Sequence, residues 1–330
     1  MLISVAIPTY KRLPQLKRAV DDVLAQTWKD WELVISDDEV GDEGETWKWL
    51  QELAAKDSRV KILKNMRGKH GQIYNVNSAC FATNGEWVKP FFDDDRMLPN
   101  CLEEFVNVLK VIEKSERCDC SHVAMIGCRG QKWRNGVMVG EDTNFLRHEV
   151  ELIPGGKSAL AYCLLDSWNG RTPTHMLMRG DLVRQGASMV EDTAFKHPLD
   201  VRWYGRMLEN HGAYVMTNRV LVGECQGEVE SGTSELWREE PFVTEELRKV
   251  YQEIYDRNVE EGVWPSRKTI DSVICGVRAL YHIKRHQWRS GFHYLPLMFR
   301  TFTAPMLVLK WFLRKCFPGR FVAAERIALI

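Results

Sequence analysis

An α/β fold, a mostly parallel sheet flanked by helices, is what the first third of this sequence predicts. Apolar runs and amphipathic stretches alternate four times in about 95 residues, the pattern of parallel strands joined by right-handed crossovers. Each apolar run ends in a polar cluster: Pro8–Arg12, Asp37-Asp38, Asn65–Gly71 and Asp93–Asp95. Ligands on such sheets bind outside the carboxyl ends of the strands. The clusters therefore converge on one edge, and that edge is the candidate site.

In chain order, Leu2 to Ile7 is apolar and β-branched, a buried strand closed by Pro8-Thr9-Tyr10. Leu13, Leu16, Val20, Val23 and Leu24 recur at helical spacing, so a helix runs to about Gln26. Trp31 to Ile35 is the second strand, followed by a helical stretch through Trp47, Leu50 and Leu53. Val60 to Leu63 is the third, before the polar loop Asn65–Gly71. Ile73 to Thr83 reads as a helix closed by Asn84-Gly85, and Trp87 to Phe92 is the fourth strand. It ends on Asp93-Asp94-Asp95, ahead of a helical segment from Cys101 to Ile112.

Three adjacent carboxylates repel one another and call for a positive partner. A hard divalent cation that also bridges substrate phosphates meets that need. The plainer alternative is an acidic turn capping the next helix. No GxGxxG follows the first strand and no GxxxxGK[ST] occurs anywhere, which argues against a dehydrogenase or a P-loop NTPase.

Composition is that of a soluble globular chain, 45% hydrophobic and 27% charged over 330 residues. A formal net charge of zero conceals an asymmetry: Trp264 to Ile330 carries a net +10 and the preceding residues a net −10. A basic tail on an acidic body suggests an anionic partner surface. Nine cysteines without CxxC spacing read as free thiols in a reducing compartment. Without a secretory signal or an apolar run of roughly 20 residues, the expected location is cytoplasmic, or peripheral on the cytosolic face of a membrane.

IPTYKR at 7–12, QTWKDWELVISDD at 26–38, NGEWV at 84–88 and the triplet followed by Pro99 occur in an order that resembles glycosyltransferase family 2. The resemblance covers the first 110 residues, and more weakly continues to about residue 220. It implies a GT-A fold, an inverting transfer, a UDP- or dTDP-sugar donor, and Mn²⁺ or Mg²⁺. Tyr10 would flank the base, with Pro8 and Thr9 beside it. Asp38, or its neighbour Asp37, would accept from the base imide, and Arg67 or Lys69 would either touch base or phosphate or be plain surface charges. The triplet would hold ribose and metal, with Asp93 and Asp94 on the nucleotide, Asp94 or Asp95 ligating the metal, and the metal neutralising the leaving diphosphate. The family's Asp-x-Asp-Asp pattern places its first position on Phe92 here, which leaves the division of roles among the three aspartates open.

Val123 to Cys128 is a further strand, followed by a polar insertion over about 129–171 that either shapes an acceptor pocket or is a surface excursion. Thr172 to Met178 resembles the strand lining the acceptor site, with Thr174 and His175 facing the cleft. Asp200, followed by Trp203, Tyr204, Arg206 and Gly212, matches the family's catalytic segment, although Leu199 stands where a Glu is usual. An inverting transfer needs one carboxylate to take the acceptor's proton. Asp200 is that candidate base, Glu191 and Asp192 are alternatives, and helix capping is the plainer role.

Two parts result: a GT-A catalytic domain over 1–225, divided at 112 between donor binding and acceptor side, and a helical extension over 226–330. In the extension, Leu, Phe, Met and Trp alternate with Lys and Arg from Phe292 to Phe317. That composition fits helices at an anionic membrane interface, or an appendage packed on the domain or on a second subunit of a homo-oligomer. It is too apolar for a nucleic-acid arm. The partners expected are a nucleotide-sugar donor and a glycan or lipid-linked acceptor. A non-catalytic scaffold of the same fold and a nucleotidyltransferase are the competing readings.

Overall fold

A computed structural model describes residues 1–65, 67–142, 146–154, 172–189, 191, 199–209, 212–226, scattered positions between 246 and 283, 288–299, 309 and 327–330. Its elements in chain order begin with β1 (Ile3–Thr9), α1 (Leu13–Leu24), β2 (Trp31–Asp37), α2 (Glu45–Lys56), β3 (Val60–Lys64), α3 (Gln72–Phe81) and β4 (Trp87–Pro90). Next come β5 (Arg96–Met97), α4 (Cys101–Lys114), β6 (Val123–Arg134), β7 (Val137–Glu141), β8 (Val150–Ile153), β9 (Met176–Arg179) and α5 (Gly180–Arg184). The series closes with α6 (Leu199–Met207), β10 (Ala213–Gln226), α7 (Trp288–Met298) and β11 (Ile327–Ala328).

One sheet carries the strands in the order β11-β8-β10-β6-β9-β4-β1-β2-β3. β3, β2, β1 and β4 are mutually parallel, as the alternation predicts. β9 runs antiparallel between β4 and β6, and β10 returns to parallel beside β6. Strand order reverses at β1, whose neighbours are β2 and β4, and this is where open α/β sheets bind ligands.

Period-two alternation along β1 serves two cores. Ile3, Val5 and Ile7 pack with Leu16, Val20 and Val23 of α1 and with Leu102, Phe105 and Leu109 of α4. Ala6, on the other face, joins Val76 and Ala79 of α3 and Trp203, Tyr204 and Met207 of α6. The central strands of the sheet are thus covered on both sides.

Several elements differ from expectation. β6 does not stop at Cys128; it continues to Arg134 and turns through Asn135 (φ 50°) and Gly136 (φ 76°) into β7. Two successive left-handed residues form the tight turn that matches the twist of a hairpin. The presumed insertion also contains β8, paired to β10. Pro173–His175 is a single 3₁₀ turn ahead of β9, since proline supplies no N–H for strand pairing. At the other end, Ile327–Ala328, inside the stretch expected to be helical, is a strand: β11 pairs with β8, and Arg117 Nη1 donates to the Ala328 carbonyl at 2.9 Å. Asp192, residues 155–171 and most of the tail's expected helical and basic-aromatic positions lie outside the described residues.

Candidate active site

Thr9, the last residue of β1, organises the strand-order reversal. Its hydroxyl donates to Asp93 Oδ2 at 2.8 Å. Its carbonyl accepts from Asn75 Nδ2 of α3 at 2.9 Å and from the Asp38 N–H at 3.0 Å. Three segments are therefore tied to one residue. Pro8 is half-buried, and Tyr10 leaves the sheet 52% exposed, with the Lys11 ammonium 5.4 Å from its ring. An exposed aromatic at the end of a strand offers a flat face for a ligand ring.

The two aspartates after β2 differ in availability. Asp37 is fully buried and engaged by Lys64 Nζ at 2.8 Å and by the Glu39 N–H. Asp38 is held by Asn65 Nδ2 at 2.6 Å, the Gly71 N–H at 2.7 Å and His70 Nδ1 at 3.0 Å, and is buried slightly less completely. A carboxylate accepts about four hydrogen bonds, so Asp38 retains capacity for one more donor. Arg67 is committed elsewhere, with Nε on Glu191 Oε1 at 2.6 Å, whereas Lys69 is exposed with its ammonium 5.6 Å from the Tyr74 ring.

The triplet separates into three environments. Asp93 is buried, and burial together with the Asp94 charge pushes its pKa up to about 6 against the pull of Thr9 and Arg12. Asp94 is partly open, its Oδ2 3.1 Å from Arg12 Nη1, and Arg18 Nη2 donates to its carbonyl. Asp95 is buried, with Oδ2 receiving the Thr174 hydroxyl at 2.5 Å and Oδ1 receiving the Cys225 N–H at 3.1 Å. Burial first, then Asp94, and to a smaller extent Glu224, raise Asp95 well above the usual carboxylate range.

Thr174 and His175, expected to face the cleft, are buried. The reason is packing: the 3₁₀ turn lies under the triplet, so Thr174 supports Asp95 from below. Lys89, fully buried in β4, donates to the Thr174 and Pro90 carbonyls and fixes the same turn. His175 sits within 3.2 Å of Thr172 Oγ1 and 3.5 Å of Asp142 Oδ2, against Gly130, where any Cβ would strike its ring.

Asp200 lies in the first turn of α6 and accepts the Val201 N–H at 2.9 Å. Burial raises its pKa, and the charge of Glu224 adds to the rise. Glu224 of β10 thus acts on both Asp95 and Asp200. Glu191, by contrast, is occupied by Arg67 and by Asn77 Nδ2 at 3.0 Å, which hold its pKa down. Lys89 and Glu224 escaped the sequence reading, and Arg12 entered it only as part of the Pro8–Arg12 cluster, with no role of its own. Lys89 alone carried a signal, a lysine in the middle of an apolar strand.

Among the described residues no group of three or more His, Cys, Asp or Glu side chains is arranged to hold a metal. The donor set fits a different mode, in which one or two carboxylates and the substrate's phosphates share the ion. Asp94, partly exposed between two buried carboxylates, is the one of the three that could share an ion in that way.

The model of the family described as "Glycosyl transferase family 2" matches residues 4–183 of this chain, more than half its length. The chain belongs to glycosyltransferase family 2. The GalNAc(5)-diNAcBac-PP-undecaprenol beta-1,3-glucosyltransferase of Campylobacter jejuni is 34% identical over 100 residues, which are 30% of this chain and 32% of that protein. The UDP-Glc:alpha-D-GlcNAc-diphosphoundecaprenol beta-1,3-glucosyltransferase WfgD of Escherichia coli is 29% identical over 108 residues, 33% of this chain and 41% of that one. The match thus spans about a third of the length of such curated relatives. Among solved structures, Staphylococcus aureus TarS 1-349 in complex with UDP-GlcNAc superposes with a TM-score of 0.63 at 16% identity, over 95% of this chain and 81% of that one. The mannosyltransferase PcManGT of Pyrobaculum calidifontis, in complex with GDP-Man and Mn²⁺, gives 0.59 at 13% identity, over 96% and 81%. These similarities establish the GT-A fold of this family 2 chain.

Proposed function

We propose that this family 2 protein is an inverting glycosyltransferase that moves a sugar from a UDP- or dTDP-sugar to a hydroxyl of a lipid-linked or cell-surface glycan. The observation that carries the reading is the convergence of Thr9, Asp38 and the Asp93–Asp95 triplet where the strand order reverses. Tyr10 flanks the base and Asp38 accepts from it, while Pro8 and Thr9 line the wall. A bound Mn²⁺ or Mg²⁺ supplies Lewis-acid neutralisation of the leaving diphosphate, held by Asp94 with Asp95 beside it.

Asp200 is the general base in this account. Its partial burial beside Glu224 raises its affinity for a proton, as a base near neutral pH requires. The undecaprenol-linked acceptors of the Campylobacter and Escherichia relatives support that acceptor class. Among the described residues no helix is long and apolar enough to cross a membrane. Trp288 and Phe292, exposed and stacked 6.3 Å apart on α7 beside Arg289, and the exposed Phe299 instead suit an anionic membrane surface.

The reading is tested by nucleotide-sugar hydrolysis across a donor panel, with Mn²⁺, Mg²⁺ or chelator. Metal-dependent release of a nucleoside diphosphate from one donor is expected. Release of pyrophosphate would favour a nucleotidyltransferase, and nucleotide binding with no turnover, even with lipid-linked acceptors present, would favour a scaffold.

A further inference from the structure

Arg12 stands between β1 and α1, just after Lys11, whose left-handed backbone (φ 53°) turns the chain there. One guanidinium nitrogen, Nη1, lies 3.3 Å from Asp93 Oδ1 and 3.1 Å from Asp94 Oδ2. The same nitrogen bridges both carboxylates. The turn that presents them is held independently, by Thr9 on the Asp93 side chain and by Arg18 on the Asp94 carbonyl. Arg12 is 29% exposed, so it can leave the pair by a change of side-chain rotamer without disturbing the core.

We infer that Arg12 is a resident counter-cation that a divalent metal must displace from Asp94, and that the freed guanidinium then binds the donor's diphosphate. The inference rests on the Asp94 metal assignment above, and its second half also on the donor reading. Two cations cannot share one carboxylate edge without mutual repulsion, and at this depth that repulsion is poorly screened. Arginine, with its fork of donors and permanent charge, suits transfer from a carboxylate to a phosphate. Metal alone therefore binds weakly, and metal and nucleotide bind cooperatively, each gaining when the other is present.

The test is Mn²⁺ binding by the full chain without nucleotide, read from the free-ion electron paramagnetic resonance signal at mildly alkaline pH. Arg12→Gln is expected to bind Mn²⁺ roughly tenfold more tightly than the native chain. Arg12→Lys, which keeps the charge, stays near native, and Asp94→Asn added to Arg12→Gln abolishes the gain. Added UDP tightens Mn²⁺ binding in the native chain and does so less in Arg12→Gln. Unchanged or weaker Mn²⁺ binding in an Arg12→Gln protein with native circular dichroism overturns the proposal. A gain in Mn²⁺ affinity with no UDP or dTDP effect in any variant upholds the displacement, removes the hand-over and counts against the donor reading.

Discussion

Thr174 gives its hydroxyl to Asp95 at 2.5 Å, so the buried turn before β9 sets the orientation of the last carboxylate of the triplet. The two residues are 79 positions apart. Their contact exists because β9 runs antiparallel between β4 and β6, which carries the turn beneath the end of β4.

Replacing Thr174 by valine keeps the volume and removes that donor. A buried carboxylate left short of a partner costs about 1–3 kcal/mol. A loss of that size in urea unfolding is expected, together with weaker metal-dependent nucleotide binding. Serine restores both if the hydroxyl is what matters; a Thr174→Ser protein no better than valine would contradict this.

Asp93 gives the protein a pH dependence of definite sign. Its folded pKa, about 6, lies above the ordinary value of 3.8, so the native state binds the extra proton and its ionisation is destabilising. That penalty is absent below about pH 4 and complete above about pH 6, and approaches 3 kcal/mol at most, given roughly 1.4 kcal/mol per unit. In chelator, Asp93→Asn should gain stability over the native chain as pH rises through this window. A difference that stays flat with pH would show that Asp93 is not the group responsible.

Asp200 and Glu191 make opposite predictions. Asp200→Asn should lower transfer by about 10²–10⁴-fold while nucleotide binding persists. In the native enzyme, transfer should fall as pH drops through the raised Asp200 pKa, above the usual carboxylate range. Glu191→Gln should retain most activity, because Arg67 and Asn77 already occupy that carboxylate. Reversal of the two phenotypes in kinetic assays would move the base to Glu191.

The parallel strands β1 to β4 were legible because each is a short buried run closed by polar residues, and because both faces are covered. The hairpin of β6 and β7 was passed over although Asn135-Gly136 before Val137-Met138-Val139 is a strong local turn signal. Its exposed apolar residues broke the expected polar pattern. β8 and β11 are edge pairings made across long sequence separations, which no local window reports. At the site, sequence located the acidic cluster but not its supports. Lys89 and Glu224, and the pairing of Arg12 with Asp93 and Asp94, depend on tertiary proximity, and that proximity follows from strand order.

The central claim is that the sheet-edge cluster binds a nucleoside diphosphate through a metal held at Asp94. Calorimetric binding of UDP, dTDP and GDP to the native chain and to Asp94→Asn, each in Mn²⁺ and in chelator, tests it most directly. The account predicts that UDP or dTDP binds the native chain in Mn²⁺ and loses at least about tenfold in affinity on chelation or on the substitution. Nucleotide binding indifferent to both changes would contradict it.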